Sequence, residues 1–172
     1  MVSWSHPLKL HALARGPISL SLAPDADQRA AIAGQLGLES LSSLVATVTA
    51  KAWMDGLEVT GRFEAVVEQI CGISLDPFEQ AVAGEVEIRA VPAGSPQAAS
   101  ADGGELELDP DAIDAPDILA GDGIDLAADI VEHLALALDP FPRKPGAEFD
   151  YQAPEVETSP FAALKTLTEP KA

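Results

Sequence analysis

Alternating apolar and polar residues fill two long runs in the first half of the chain. One run covers residues 44–52, the other covers 57–65, and Asp55-Gly56 lies between them. A period of two places apolar side chains on one face of a β-strand, and Asp-Gly between two such runs is a strong β-hairpin signal. The pattern predicts a hairpin of two long strands that are buried on one face.

Further alternating runs extend this hairpin into a sheet. Residues 82–90 alternate and have a charged outer face, and residues 8–12 and 18–22 form two shorter runs with Arg15-Gly16-Pro17 between them. Such runs are typical of half-buried strands. We therefore expect an antiparallel sheet of about five or six strands that could close toward a barrel.

Two helices are predicted beside the sheet. Asp25 is an N-cap candidate before residues 28–36, and Gly37 stands where that short helix should end. From Ile124 to Leu138, apolar residues recur at helical spacing and form a stripe that can pack on the sheet. The opposite side of this C-terminal helix carries Asp125, Asp129, Glu132 and His133.

The fold class that these elements predict is α+β, in one domain. The chain has 172 residues of which 47% are hydrophobic, which is enough for a single core. We expect this domain to cover residues 1–146, with an acidic mobile loop at about 91–123 that is poor in large apolar side chains. Residues 147–172 are predicted to be an extended, Pro-rich tail with a short helix at 160–167.

Charge narrows the class of partner. The chain has 10 basic and 28 acidic residues, and no lysine or arginine occurs between Arg89 and Arg143, where twelve carboxylates lie. A net charge of −18 repels a phosphate backbone and attracts cationic molecules over a long range. We therefore expect a basic protein as the partner, and no DNA.

The sequence also indicates a cytoplasmic protein. The N-terminus lacks the charged start and apolar run of a signal peptide, and no stretch of about 18 apolar residues occurs. A membrane partner is therefore not expected. A single cysteine, Cys71, allows no internal disulfide and cannot build a structural zinc site alone.

Catalytic and metal-binding patterns are weak. The three histidines are spread across the chain, and no zinc-protease, serine-hydrolase or phosphate-loop motif is present. The group of Asp125, Asp129, Glu132 and His133 has spacing that could hold a divalent metal, but a solvated acidic helix face explains it more simply. Cys71 is interpreted as a small buried core residue. We predict no enzyme, no catalytic residue, no metal and no cofactor.

Two segments of the sequence carry a family resemblance. Residues 71–79 read Cys-Gly-Ile-Ser-Leu-Asp-Pro-Phe-Glu, and residues 132–146 continue the last helix into Asp-Pro-Phe-Pro-Arg-Lys-Pro-Gly. Together with residues 124–126, they resemble the YceD family, the large ribosomal RNA subunit accumulation proteins. The resemblance covers most of residues 6–146, and the closing motif and the Ser159-Pro160-Phe161 tail resemble the alphaproteobacterial branch.

The resemblance implies a cytoplasmic, non-enzymatic factor for the accumulation of large-subunit ribosomal RNA, in a family often encoded beside a small basic ribosomal protein. Some relatives have Cys-x-x-Cys in the first motif, a zinc-type pattern, whereas this chain has Ser74 at the second position. The motif residues expected to be structural are Cys71, Leu75, Asp76, Pro77, Phe78, Leu126, Leu134, Leu138 and Pro140. The candidate partner-binding residues are Glu79, Asp125, Asp129, Glu132, Arg143 and Lys144.

Three mechanisms remain open from the sequence. In the first, the acidic helix face and the acidic loop bind a basic ribosomal protein or a pre-ribosomal particle. In the second, Arg143 and Lys144, with Arg62 or Arg89, bind ribosomal RNA directly. The third is a small-molecule enzyme that uses the carboxylates around His133, and only that residue cluster supports it.

Overall fold

The structure is a computed structural model, and it describes residues 4–96, 98, 115–119 and 121–149. The strands are β1 (Pro7–Lys9), β2 (Ile18–Leu22), β3 (Ser40–Trp53), β4 (Gly56–Ile70), β5 (Pro77–Val91), β6 (Asp117–Ile118) and β7 (Gly123–Asp125). The helices are α1 (Ala26–Leu36), α2 (Leu126–Ala137) and a 3-10 helix at Leu10–Arg15. The α+β prediction is confirmed.

The main sheet has five strands in the order β2-β3-β4-β5-β6, and β1 pairs separately with β7. Its centre is the predicted hairpin of β3 and β4, whose connection is formed by Met54 and Asp55. Gly56 therefore belongs to β4. A Cβ atom at this position would lie 1.9 Å from the carbonyl oxygen of Ala90 in β5, so the close approach of these strands requires glycine.

Three details of the predicted sheet are wrong. The sheet is mixed, because β6 pairs parallel to β5, and the long connection between these two strands allows that direction. It is also open, because β2 and β6 at its two edges do not pair with each other. Of the predicted strand at 8–12, only the start forms β1. The chain then turns into the 3-10 helix, which buries Leu13.

The core lies on one face of the sheet. Alternate residues of β3, β4 and β5 are buried there, with Phe63 at the centre. The helix α2 packs against β5 and buries Leu126, Ile130 and Leu134 fully. The predicted apolar stripe is therefore correct, although the helix begins two residues later than its pattern suggested because Ile124 belongs to β7.

The first helix ends where its sequence signals indicate. The Asp25 carboxylate accepts the backbone N–H of Gln28, and the Gln28 side chain accepts the backbone N–H of Asp25, which together make a capping box. Gly37 closes the helix with a φ of 68°, in the left-handed region that favours glycine.

Two predicted segments are not tested by the structure. The acidic loop at 91–123 is described only at its two ends, and the tail helix at 160–167 lies outside the described residues. The division into a domain at 1–146 and a tail at 147–172 stays a prediction.

Candidate functional site

An acidic groove opens beside the edge of the sheet. It has a volume of about 560 Å³ and lies between β5, β6, the β1–β7 ladder and the first half of α2. The lining is apolar where β5 contributes Ile88 and Ala90 and where β7 contributes Ile124. The lining also contains four carboxylates, those of Asp117, Asp125, Asp129 and Glu132.

Asp125 anchors the start of α2. Its carboxylate accepts the hydroxyl of Ser5 at 2.6 Å, the backbone N–H of His6 at 2.7 Å and that of Ala127 at 3.1 Å. Burial alone would raise the pKa of this carboxyl, but these hydrogen bonds outweigh burial and hold the pKa below its usual value. Asp125 is therefore an N-cap that ties the N-terminal segment to the helix, and its oxygens are already occupied.

Asp129 lies one turn further along α2 and is half-buried. Its Oδ2 atom is shielded from solvent and has no hydrogen-bond partner among the described residues. The pKa of Asp129 is raised to about 6. Burial is the largest cause, and repulsion from the nearby Glu132 and Asp125 carboxylates adds to it. This oxygen is thus an unsatisfied acceptor at the wall of the groove.

The groove has little positive charge of its own. Lys9 is the lysine that lines it, and its ammonium group forms an ion pair with Asp122. This pairing holds the pKa of Asp122 below its usual value, the hydrogen bond from Lys9 being the largest cause. Within the part of the chain that the structure describes, Asp117, Asp129 and Glu132 have no ion pair. The groove therefore attracts cations.

A second feature is the connection between β4 and β5, residues 71–76, here called the Cys71 turn. It begins at Cys71, whose side chain is fully buried. The sulfur accepts three backbone N–H groups, those of Ile73 and Ser74 at 3.4 Å and that of Lys144 at 3.3 Å. Hydrogen bonds to the sulfur lower the pKa of the Cys71 thiol to about 6. The Ser74 hydroxyl makes the largest contribution, and the backbone N–H groups of Ser74 and Lys144 make the next largest. The Cys71 sulfur therefore links the turn after β4 to the segment after α2.

The Cys71 turn presents apolar and cationic side chains to solvent. Leu75 is 74% exposed and has a φ of 60°, which is unusual for a branched side chain. Phe141 is 77% exposed on the other segment. The Gly72 N–H donates to the Pro142 carbonyl at 2.9 Å, and Lys144 Nζ lies 3.6 Å from Asp76 Oδ2. The turn and the segment after α2 form a single unit.

One family match covers both the Cys71 turn and the α2 side of the groove. A family model described as "Large ribosomal RNA subunit accumulation protein YceD" matches residues 59–168, which is more than half of the chain. The chain belongs to the YceD family. The match takes in the Cys71 turn, β5, α2 and the groove side chains that α2 carries. No curated protein and no solved structure matched the chain.

Membership of the YceD family implies a role in the accumulation of large-subunit ribosomal RNA. The described residues hold no cluster of three or more His, Cys, Asp or Glu side chains that could bind a metal ion. At the position where the zinc-type YceD pattern has a second cysteine, Ser74 donates a backbone N–H to the Cys71 sulfur. No helix in the described ranges is long and apolar enough to cross a bilayer.

The structure separates the candidate partner-binding residues of the YceD motifs into three places, of which Glu79 on β5 is one. Asp125, Asp129 and Glu132 line the groove, while Arg143 and Lys144 belong to the segment beside the Cys71 turn. The motif residues vary in burial: Cys71, Leu126 and Leu134 are fully buried, Phe78 and Leu138 are half-buried, and Leu75, Asp76, Pro77 and Pro140 are exposed.

Two parts of the site were not identified from the sequence. Ser5 and His6 contact Asp125 across more than a hundred residues, and nothing in their local pattern indicates this. Asp117 was one carboxylate in a long acidic block, and only its parallel pairing with Ala90 places it at the groove. Glu79, a third candidate location, is exposed on β5, where it accepts the Ser42 hydroxyl at 3.3 Å.

Proposed function

We propose that the protein supports the accumulation of large-subunit ribosomal RNA by binding a basic ribosomal protein through the acidic groove. The role is one of binding and not of catalysis. The observation that carries this proposal is the shielded, unpartnered Oδ2 atom of Asp129 beside Glu132. A lysine or arginine of the partner beside these two carboxylates would supply the positive charge that the groove lacks.

The charge of the whole chain supports the same partner. With a net charge of −18, the protein attracts a cationic molecule before contact and repels free RNA. We propose that the acidic segment at 102–114, which lies outside the described residues, adds to this attraction through its charge. A factor that shields a basic ribosomal protein from unspecific RNA contacts would favour correct assembly of the large ribosomal subunit. Its ribosomal RNA would then accumulate.

Affinity purification tests this proposal. The tagged protein is recovered from its own cells at low and at high salt, with nuclease treatment, and the bound proteins and RNA are identified in parallel. We expect a basic large-subunit protein that survives nuclease and is lost in high salt. Recovery that does not change with salt, or the absence of any basic ribosomal protein, would contradict the proposal.

Paired charge-removal variants localise the binding site. Asp129→Asn with Glu132→Gln removes two groove carboxylates and should weaken the recovered interaction. Asp27→Asn with Glu39→Gln removes the same charge from two exposed sites near the ends of α1 and serves as the matched control. If both double variants weaken binding equally, net charge and not the groove is responsible.

Direct binding of ribosomal RNA is the second candidate function. Arg143 is exposed and has no ion pair among the described residues, and it lies between exposed Phe141 and Lys144 on the segment fastened to the Cys71 sulfur. Cations and an exposed aromatic side chain on one short segment suit single-stranded RNA. Arg143→Glu with Lys144→Glu should then abolish RNA recovery, and unchanged RNA recovery would exclude this candidate.

A further inference from the structure

The strand β5 has a long unpaired edge. Along one side it pairs continuously with β4, from Leu57–Ala90 to Ile70–Pro77. Along the other side, Ala90 and Val91 alone pair with a strand among the described residues, namely with β6. Residues 77–89 therefore have no partner strand on that side within the described ranges, and at about 3.3 Å per residue the free edge is about 40 Å long.

The hydrogen-bonding groups that face this edge can be assigned. The Val91 carbonyl accepts the N–H of Leu119 at 2.8 Å, so the backbone groups of Val91 point away from β4. The register with β4 has no shift, and the direction of backbone groups alternates along a strand. The outward-facing N–H and C=O groups before Arg89 are consequently those of Glu79, Ala81, Ala83, Glu85 and Glu87. Pro77, which has no N–H, begins the same series.

The side chains along this edge favour a cationic strand. Glu79, Glu85 and Glu87 are exposed on the outer face, while Ala81 and Ala83 leave the middle of the edge open to close approach. Glu79 also lies directly opposite Glu68 of β4, a like-charge pair that is unfavourable unless a cation joins it.

The C-terminal end of β5 also favours the addition of a cationic strand. Arg89 is the basic residue of β5, and it is already paired with Glu58 and Glu87. Beyond it, the edge leads to the acidic groove, which Ile88 and Ala90 help to line.

We infer that the free edge of β5 binds an extended segment of the partner, rich in lysine or arginine, as an added β-strand that leads into the acidic groove. The inference rests on the proposed function and specifies how the basic partner binds. Main-chain hydrogen bonds to the outward groups hold the segment, and its cations meet Glu79 and Glu85 of β5, since Glu87 is already paired with Arg89. A second copy of this chain is disfavoured as the added strand, because it would bring the same glutamates together.

Amide hydrogen exchange tests this geometry. The probe is a synthetic peptide of about ten residues in which lysine and threonine alternate, long enough to cover most of the edge. In the free protein, the amides of Ala81, Ala83 and Glu85 should exchange fast, and those of Val82 and Gly84, which face β4, should exchange slowly. Saturating peptide should slow the first group by about tenfold or more and leave the second unchanged.

Two results of this experiment would overturn the inference. One is peptide binding with no added protection of the outward amides, and the other is protection of those amides in the free protein. A peptide that is N-methylated at alternate positions provides the control. Methyl groups on the donors that face β5 should abolish binding, whereas methyl groups shifted by one residue should not.

A backbone variant separates the edge from the groove. Ala83→Pro removes one outward N–H without affecting the pairing with β4, and Ala83→Val keeps that N–H as the matched control. We expect about tenfold weaker binding of the peptide and of the basic partner for the proline variant only. If the groove variants weaken binding of the basic partner and Ala83→Pro does not, the edge inference fails and the proposed function stands. If neither does, both fail.

Discussion

Removing the charge of Asp129 should stabilise the protein at neutral pH. Burial is the largest cause of the raised pKa of this carboxyl, the charged neighbours Glu132, Asp125 and Asp117 add to it, and His133 lowers it. The His133 Nδ1 atom lies 2.8 Å from the Asp129 backbone carbonyl, and since a carbonyl only accepts, Nδ1 carries a hydrogen. The side-chain oxygen thus stays unpartnered and its negative charge is unfavourable in the folded state.

The size of the effect follows from the pKa. Asp129 has a pKa of about 6 in the folded protein instead of 3.8, so the folded state binds the proton more tightly than the unfolded state. The resulting stabilisation is present below pH 3.8 and is lost as the pH rises toward 6. The loss is at most about 3 kcal/mol, and because Asp129 is only half-buried and water screens part of its charge, we expect about 1 kcal/mol.

The assay is urea unfolding of the wild type and of Asp129→Asn between pH 4 and pH 8. The variant should be more stable than the wild type by about 1 kcal/mol at pH 7, and this difference should shrink toward pH 4. Asp27→Asn, on the exposed first turn of α1, removes the same charge away from the groove and is the control, which should not be more stable than the wild type at pH 7. A difference that does not change with pH, or one that grows toward pH 4, would refute the reasoning.

Three further changes probe the parts that position the site. Cys71→Ala leaves three backbone N–H groups without an acceptor and should cost about 1–3 kcal/mol of unfolding free energy, with faster exchange of the Lys144 amide; unchanged exchange would show that the sulfur does not fasten the turn. Leu75→Gly relieves the positive φ and should stabilise the protein by up to about 1 kcal/mol, so a loss of stability would mean that the exposed side chain makes a needed contact. Leu134→Ala should cost about 2–5 kcal/mol because the side chain is fully buried, whereas Leu136→Ala, 85% exposed on the same helix, should cost less than about 0.5 kcal/mol. Equal costs would mean that α2 packs differently.

The parts of the fold that sequence reasoning predicted are those with local signals. Alternation of apolar and polar residues identified β3, β4 and the second half of β5, and the Asp25 and Gly37 caps fixed the ends of α1. These patterns depend on residues a few positions apart. The order of the strands in the sheet was therefore not needed to predict these elements.

The parts that sequence reasoning missed depend on distant contacts. The strand β6 has two residues, too few for a periodic pattern, and its parallel direction follows from a long connection. Asp129 was predicted on a solvated helix face, because helical spacing gives the side of α2 but not the neighbour that covers it. For Cys71, the sequence indicated burial, but the donation of the Lys144 N–H joins residues 73 positions apart.

Direct binding of purified components tests the central claim most directly. The RNA-free protein fraction of large ribosomal subunits is passed over the immobilised protein at increasing salt, and the captured protein is then titrated against the wild type and both charge-removal double variants. We predict capture of a basic protein whose affinity falls steeply with salt, and a larger loss for Asp129→Asn with Glu132→Gln than for Asp27→Asn with Glu39→Gln. Failure to capture any basic protein at low salt, or equal losses for the two variants, would contradict the account.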